Sequence, residues 1–580
     1  MENYYYAGEK NIQMLLYLLK AQGIKRVIAS PGATNASFVA SMQQDPFFDI
    51  YSCVDERSAA YMACGMAEES GEPVILSCTG ATASRNYLPG LTEAFYRKLP
   101  ILVITSSLPG NRKGHLFAQF TDRSCPPPDC VKSSFNAHCI KDDEDYWSCN
   151  VILNEAILEL THGFPGPVHI NLETRFSMDL SKKTLPQTRI IERIGVNDKA
   201  PALPKGKIAI FIGQHKLMTQ EETTAIDAFC AAHDAVVLAD HTSNYKGRYC
   251  VLPALIAAQE NSFSELMKFD VLIHIGEVSG EYYSLGRLNP TQVWRVSPDG
   301  RIRDRFKRLR YVFEMDETCF FKKYSEGGDK CISCFDEWSS LHSSLLYKVP
   351  DLPLSTLWLA KTLSSNIPSG SVLYLSILNV LRSWNFFPID KSINVVSNVG
   401  AFGIDGMSSS LIGASQVNKQ RLYFGMTGDL NFFYDLNSLG NRHLGANIRL
   451  LLVNNGHGQE FRTYKHAVSV LGDDADPFIA AAGHFGNQSP QLVKSYAENL
   501  GFRYLSARTK EEVLTILPEF CSDKIGDKPI IVEVFTNNDD EYESLKLLQN
   551  IAKKTNEQKL METIHIVGRK GKKLIKEVLK

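Results

Sequence analysis

The sequence predicts an α/β protein of three doubly wound parallel-sheet domains, and three observations predict it. Short apolar runs recur along the chain with helix-periodic segments between them, the alternation that builds parallel sheets through right-handed crossovers. Most of these runs end in Gly, Ser or Thr turn residues. Two stretches lack periodicity and read as linkers: 181–205, with Lys182, Lys183, Pro186, Pro201 and Pro204, and Val349-Pro350-Asp351-Leu352-Pro353. They divide the 580 residues into domains at 1–185, 205–345 and 355–540, followed by a basic tail at 541–580, which suits about three domains of ordinary size.

In the first domain, 12–19 has helical apolar spacing. Val27-Ile28-Ala29 is a buried strand ending at Ser30-Pro31-Gly32. A second strand at 50–54 runs into Asp55-Glu56-Arg57-Ser58 and a helix of small residues at 59–67. Strands at 74–78 and 101–104 follow. Glu56 stands out because it sits at a strand's carboxyl end and before a helix, where the dipole favours a negative charge; a helix-capping acid is the plain reading. The central domain has strands at 208–212, 235–238 and 270–275. The third has them at 372–375, 393–396, 422–426, 448–453 and 530–534.

Composition narrows the function. Hydrophobic residues at 44% and charged ones at 22% describe a globular chain with large cores, and a net charge of −2 gives no reason to expect nucleic acid or an anionic membrane as partner. No run of eighteen apolar residues occurs, and the start lacks a signal-peptide pattern, so a cytoplasmic protein is expected. The thirteen cysteines are odd in number and scattered, as in reduced proteins, and Cys331 to Cys334 is a lone CxxC without a second pair or nearby histidine. The lysines after Asp540 read as a solvated edge or tail.

The chemistry concentrates between Gly428 and Gly458. Gly428-Asp429-Leu430-Asn431 follows one strand, and Asn454-Asn455-Gly456-His457-Gly458 follows the next, so both clusters lie at the carboxyl ends of adjacent parallel strands, where open sheets bind ligands. Asp429, Asn455 and a backbone carbonyl near His457 supply hard oxygen ligands of the kind Mg²⁺ takes together with phosphate. Glycines there let a diphosphate approach the backbone.

This stretch resembles the metal and diphosphate motif of thiamine-diphosphate-dependent enzymes, with Leu430 in place of that motif's last glycine. Asp55-Glu56-Arg57-Ser58-Ala59-Ala60, Ser77 to Ala83 and Asn86-Tyr87-Leu88-Pro89 are similar to the same family's pyrimidine-binding domain. The resemblance implies pyrimidine-binding, central and diphosphate-binding domains, in that order, with thiamine diphosphate and Mg²⁺ as cofactors. It makes Glu56 the catalytic acid at the aminopyrimidine ring and Asp429, Asn455 and His457 the metal site. Pro31, Thr79, Gly403, Ile404, Gly428 and Leu430 become cofactor contacts, with Ile404 beneath the cofactor. FAD, bound by some branches, is left out for want of a flavin signature. The reaction implied is decarboxylation of a 2-oxo acid donor and transfer of the resulting carbanion to an acceptor, in a homodimer or homotetramer with sites between subunits. A simple or acetolactate-synthase-like decarboxylase and a catalytically silent binding relative remain alternatives.

Ser397 to Gly406 and Gly428 to Asn437 resemble the menaquinone-pathway branch most, where a leucine after Gly-Asp is normal. That branch grips dicarboxylic substrates with arginines, and here two such positions hold Thr34 and Val399; Arg382 matches a third. Glu460 stands where the branch keeps an apolar residue. Gln119 and Glu460 are the further catalytic candidates, and Thr34, Arg382, Val399 and Phe461 the substrate contacts. Losing two bidentate carboxylate clamps while gaining a carboxylate implies substrates less anionic than isochorismate and 2-oxoglutarate, unless Arg85, Arg382 or Arg462 replaces the missing contacts.

Overall fold

The computed structural model describes residues 5–259, 263–326, 334–462, 466–483 and 489–552. They fall into two units, Met1–Lys199 with Asp299–Glu314, and Ala200–Pro298 with Met315–Lys580.

In the first unit β1 (Arg26–Ala29), β2 (Asp49–Ser52), β3 (Val74–Thr79), β4 (Ile101–Ser107), β5 (Ser133–Ala137) and β6 (Val168–Glu173) form a parallel sheet in the order β2-β1-β3-β4-β6-β5. Successive residues of its central strands enter opposite cores: Val27, Ile75 and Leu102 join one cluster, Ile28, Leu76 and Val103 the other. Burial on both faces is the signature of a sheet wound on both sides, and each such side chain contributes roughly 1.5–3 kcal/mol. The helix Glu56–Ser70 packs into the second cluster through Ala59, Ala60, Ala63 and Ala67, and Gly71, at φ 68, closes it in the left-handed conformation. β7 (Glu192–Gly195) lies inside the stretch read as a linker and pairs in parallel with Leu309–Glu314. The sequence expectation of a featureless connection at 181–205 is corrected there.

The second unit holds β8 (Ile208–Ile212), β9 (Val236–Ala239), β10 (Cys250–Val251), β11 (Lys268–Ile275) and β12 (Asn289–Val296), in the order β10-β9-β8-β11-β12. The strand Leu309–Glu314, already placed in the first unit, is β13. A further parallel sheet follows: β14 (Val372–Leu375), β15 (Asn394–Val396), β16 (Tyr423–Gly428), β17 (Ile448–Asn454), β18 (Arg503–Ala507) and β19 (Ile530–Phe535), ordered β15-β14-β16-β17-β19-β18. The fold is thus the α/β class of three parallel sheets with interleaved helices.

The helix Asn538–Gln549 spans the expected boundary at 540. Its Glu541, Ser544 and Leu548 are buried, so this part of the expected tail is docked. The lysines from 553 onward and Cys331 of the CxxC lie outside the described residues. Among the described residues no helix is long and apolar enough to cross a membrane.

Candidate active site

β16 and β17 pair in register from Tyr423 with Ile448 to Gly428 with Val453, which brings Asp429 and Asn455 to the same end of the sheet. Gly456, at φ 93, turns the chain so that its N–H points back and donates to Asp429 Oδ2 at 2.7 Å. The N–H of Leu430 donates to Asp429 Oδ1, also at 2.7 Å. The carboxylate is 4% exposed, and among the described residues no lysine or arginine pairs with it. Burial pushes its pKa up to about 6 against the pull of these amides. A carboxylate so placed is short of positive charge, which a divalent cation supplies.

The double asparagine divides its labour by strand alternation. Asn454 is buried and donates to Glu533 Oε1 on β19 at 2.8 Å, while Tyr504 donates to Glu533 Oε2 at 2.7 Å. Asn455, one residue on, lines a cavity of about 200 Å³. Ile404, Gly428, Asp429, Leu430, His457, Glu460 and Phe461 line it too. The ring of His457 meets Asn538 Oδ1 through Nε2, and since an imidazole carries no oxygen, the oxygen this residue can offer is its main-chain carbonyl. A Cβ on Gly428 would meet nothing within 4 Å; the strand end is open to a ligand. Apolar Ile404 and a cation-poor carboxylate in one cavity fit a group with a ring system at one end and a metal-bound diphosphate at the other.

Three expectations change. Gly403 is exposed and absent from the cavity lining. Val399, expected to face substrate, is 1% exposed and packs with Leu381 over Gly280, so it is no substrate contact here. Glu460 is not the bare carboxylate the sequence suggests, because Arg382 Nη1 donates to its Oε2. Arg462 has no described side chain.

Sequence reading missed the support behind the cavity. Glu541, 5% exposed, accepts from Thr356 N at 2.9 Å and from the hydroxyls of Thr356 and Thr536 at 2.8 and 2.9 Å. Thr356 and Asn379 both line the cavity, and Asn379 Nδ2 donates to Thr356 Oγ1 at 3.3 Å. An acid on a helix at the edge of a presumed tail gave no signal.

In the first unit Asp55, not Glu56, is the helix cap: its carboxylate accepts from Arg57 N at 3.0 Å. Glu56 is half-buried, and its Oε2 accepts from Asn86 Nδ2 at 3.4 Å. The plain capping role is therefore filled by its neighbour. Thr34 donates to Ser106 O at 2.7 Å and bonds to the Thr79 hydroxyl at the end of β3, and Gly32 lies so close to Thr79 that a Cβ would meet it at 2.6 Å. Pro31 and Gln119 are exposed, and Gln119 holds φ at 59. Arg85 is committed to the carbonyl of Asp122 at 2.7 Å. Arg123, unremarked in the sequence, is 7% exposed and bonds Asn171 Oδ1 at 2.5 Å, with Nε and Nη1 unpartnered among the described residues.

Comparison with known proteins matches residues 10–124 to the family described as thiamine pyrophosphate enzyme, N-terminal TPP binding domain. Three curated relatives bear the name 2-succinyl-5-enolpyruvyl-6-hydroxy-3-cyclohexene-1-carboxylate synthase. That of Bacteroides fragilis is 31% identical over 568 residues, covering 93% of this chain and 98% of its own. That of Phocaeicola vulgatus is 31% identical over 575 residues, covering 95% and 100%. That of Porphyromonas gingivalis is 27% identical over 574 residues, covering 92% and 95%. The protein is accordingly an enzyme that uses thiamine diphosphate with a divalent metal, typically Mg²⁺, to decarboxylate a 2-oxo acid and form a carbon–carbon bond. Identity at this level, carried over nearly the whole of both chains, means that the chain belongs to the thiamine-diphosphate-dependent 2-succinyl-5-enolpyruvyl-6-hydroxy-3-cyclohexene-1-carboxylate synthase family.

Proposed function

We propose that this enzyme joins a 2-oxo acid donor to an acceptor, the pair being less anionic than isochorismate and 2-oxoglutarate. The observation that carries this reading is the cavity lining: among the described residues it has no lysine or arginine, and its carboxylates are Asp429 and Glu460. Carboxylate substrates are normally held by charge-assisted hydrogen bonds from arginine. Thr34 spends its hydroxyl proton on Ser106, and Val399 is buried, so neither replaces such a clamp.

In this reading Asp429 Oδ, Asn455 Oδ1 and the main-chain carbonyl of His457 hold Mg²⁺ and through it the diphosphate. Bound thiamine diphosphate supplies the carbanion chemistry that takes up the charge left by CO₂ loss. Ile404 supports the cofactor's rings from within the cavity, beside Leu430 and Gly428. Glu56 holds the proton shared with the ring nitrogen of the aminopyrimidine, and Asn86 orients its carboxylate. Pro31 and Thr79 shape the pyrimidine end, with Gln119 and Phe461 toward substrate. In this reading the domains at 1–185, 205–345 and 355–540 serve as pyrimidine-binding, spacer and diphosphate-binding parts, the last extended by the docked helix Asn538–Gln549. The enzyme works as a cytoplasmic homodimer or homotetramer in which Glu56 of one subunit serves the Asp429 site of another.

A screen of 2-oxo acids for CO₂ release with thiamine diphosphate and Mg²⁺, with products identified in the presence and absence of an acceptor, tests the reading. Release from an uncharged-tail donor and capture by an acceptor is the expected result. Efficient turnover of isochorismate with 2-oxoglutarate at micromolar KM would overturn the substrate assignment.

A further inference from the structure

The stretch from Gly110 to Asp129, which follows β4, is exposed or half-buried at every residue but one. The exception is a cation. Arg123, 7% exposed, turns inward to the carboxyl ends of β3, β4 and β6. There its Nη1 lies against Gly80, and its Nη2 donates to Asn171 Oδ1 at 2.5 Å. Nε and Nη1 have no hydrogen-bond partner among the described residues. The buried hydroxyl of Ser106, in register with Thr79, has none either. No carboxylate among the described residues pairs with this charge. Asp122, next in the chain, spends its oxygens on Lys113 and on the N–H and hydroxyl of Ser124. The other ionisable neighbours bring no negative charge. Arg85 adds a like one. Burial, and then the charge of Arg123, hold the His169 pKa down to about 3, and burial pushes the Cys78 thiol up to about 12.

We propose that Arg123 binds a carboxylate of the acceptor substrate, which makes the acceptor a carbonyl compound or conjugated alkene that carries an acid group. An arginine cannot shed its proton to escape burial, and a buried charge without a counter-ion is costly. Orphaned buried donors call for a missing acceptor, and the planar fork of a guanidinium matches a carboxylate. The carboxylate concerned is one that survives the reaction. The group that leaves as CO₂ gives up its charge on the way to the transition state, so a guanidinium paired with it would favour the starting state. The donor of the proposed function has an uncharged tail, which leaves the acceptor as the carrier. Nε and Nη1 are enclosed, so the side chain meets the anion by turning outward. It gives up one hydrogen bond to a neutral amide and receives charge-assisted ones in return. Gln119, the candidate for a substrate-facing role, lies on the same stretch. This inference rests on the proposed reading that the strand ends bearing Pro31, Glu56 and Thr79 belong to the catalytic site.

The test is a competition within one reaction. The holoenzyme, with thiamine diphosphate, Mg²⁺ and the donor that the CO₂-release screen selects, is offered equal concentrations of 4-formylbenzoate and its methyl ester. The two share an aldehyde and differ in the far charge. The ratio of their products gives the ratio of kcat/KM, whatever the absolute rate of the enzyme. Wild type favours the acid by roughly ten- to hundredfold, as a charge-assisted hydrogen bond predicts. In Arg123→Gln that ratio falls by at least about tenfold. Arg123→Lys, which keeps the charge without the fork, lies between the two. A ratio unchanged in Arg123→Gln overturns the proposal, and so does a wild type that prefers the ester. Arg123→Met, checked by its melting temperature, serves if the glutamine variant does not fold. Should no 2-oxo acid release CO₂, the functional reading fails. In that case, or if neither aldehyde is joined, titration of the holoenzymes with benzoate and benzamide judges Arg123 alone. Benzoate bound about tenfold tighter by wild type than by Arg123→Gln, with benzamide bound alike by both, supports the proposal, and equal affinity for benzoate refutes it.

Discussion

The amino-terminal and carboxyl-terminal sheets have the same strand order. Counting strands within each, both run second, first, third, fourth, sixth, fifth. The residue after the third strand is where they part. In the carboxyl-terminal sheet it is Asp429, a buried carboxylate that no lysine or arginine pairs with among the described residues, facing an open cavity. In the amino-terminal sheet it is Gly80, and a Cβ there would lie 1.9 Å from Nη1 of the buried Arg123. One crevice is stocked with its own cation, and the other is left needing one. The topology is neutral; the residue at the strand end decides whether the crevice of a doubly wound sheet is filled by the chain or kept for a metal and diphosphate.

The hardest blow to this contrast is Asp429→Ala. Calorimetry should find binding of thiamine diphosphate with Mg²⁺ abolished, and the cofactor's rise in melting temperature should vanish with it. The cofactor-free protein should stay folded and melt close to wild type, because release of a desolvated charge offsets loss of the two amide hydrogen bonds from Leu430 and Gly456. Undiminished affinity would mean that the unpaired carboxylate serves something else.

Glu56→Gln tests the other sheet. It keeps the bond with Asn86 available but gives up the proton, so turnover should fall by about 10²–10⁴-fold, the range of a lost general acid or base. Hydrogen–deuterium exchange at the reactive thiazolium carbon of bound cofactor should slow in step. Mixing this variant with Asp429→Ala under conditions that exchange subunits should restore activity that neither has alone. A mixture that stays dead argues that one chain supplies both residues.

A smaller effect is expected from Glu541. Glu541→Ala leaves two buried donors on Thr356 and a half-buried one on Thr536 without their acceptor. Stability should drop by about 1–3 kcal/mol, and cofactor affinity should fall with it, since Thr356 lines the cavity. Glu541→Gln retains the accepting oxygen and should stay near wild type in both measurements.

The finest test pairs Gly80→Ala with Gly428→Ala. The first forces Arg123 aside and should lower thermal stability by about 1–3 kcal/mol while leaving diphosphate affinity alone. The second meets open space, so stability should hold while affinity declines. The reverse pattern would erase the distinction between the filled and the open crevice.

Much of this was legible in the sequence because it is local. A strand end, its turn residues and the next strand's end are contiguous stretches, and pairing of β16 with β17 needs only a short crossover. The alternation that separates Asn454 from Asn455 follows from period-two geometry. What stayed hidden depends on partners far along the chain. Glu460 reads as an added negative charge until Arg382, 78 residues earlier, is seen to hold it. Val399 reads as a replaced clamp until its burial over Gly280 is known. Among the strands that escaped notice, three are weakly patterned: β5 is an edge of Ser, Ser, Phe, Asn and Ala, β12 carries Pro290, and β7 hides in a Pro-flanked stretch; β6, Val-His-Ile-Asn-Leu-Glu, alternates cleanly and was missed all the same.

The bond between Glu541 and Thr356 joins residues 185 positions apart. On the ribosome, where chains grow at roughly 5–20 residues per second, Thr356 therefore waits roughly ten to forty seconds for the acceptor that fixes it. Until then the nascent carboxyl-terminal sheet carries its strand-end motif without the helix Asn538–Gln549 that braces the cavity wall. A chain that stalls short of this helix has the metal-binding motif without the brace behind it.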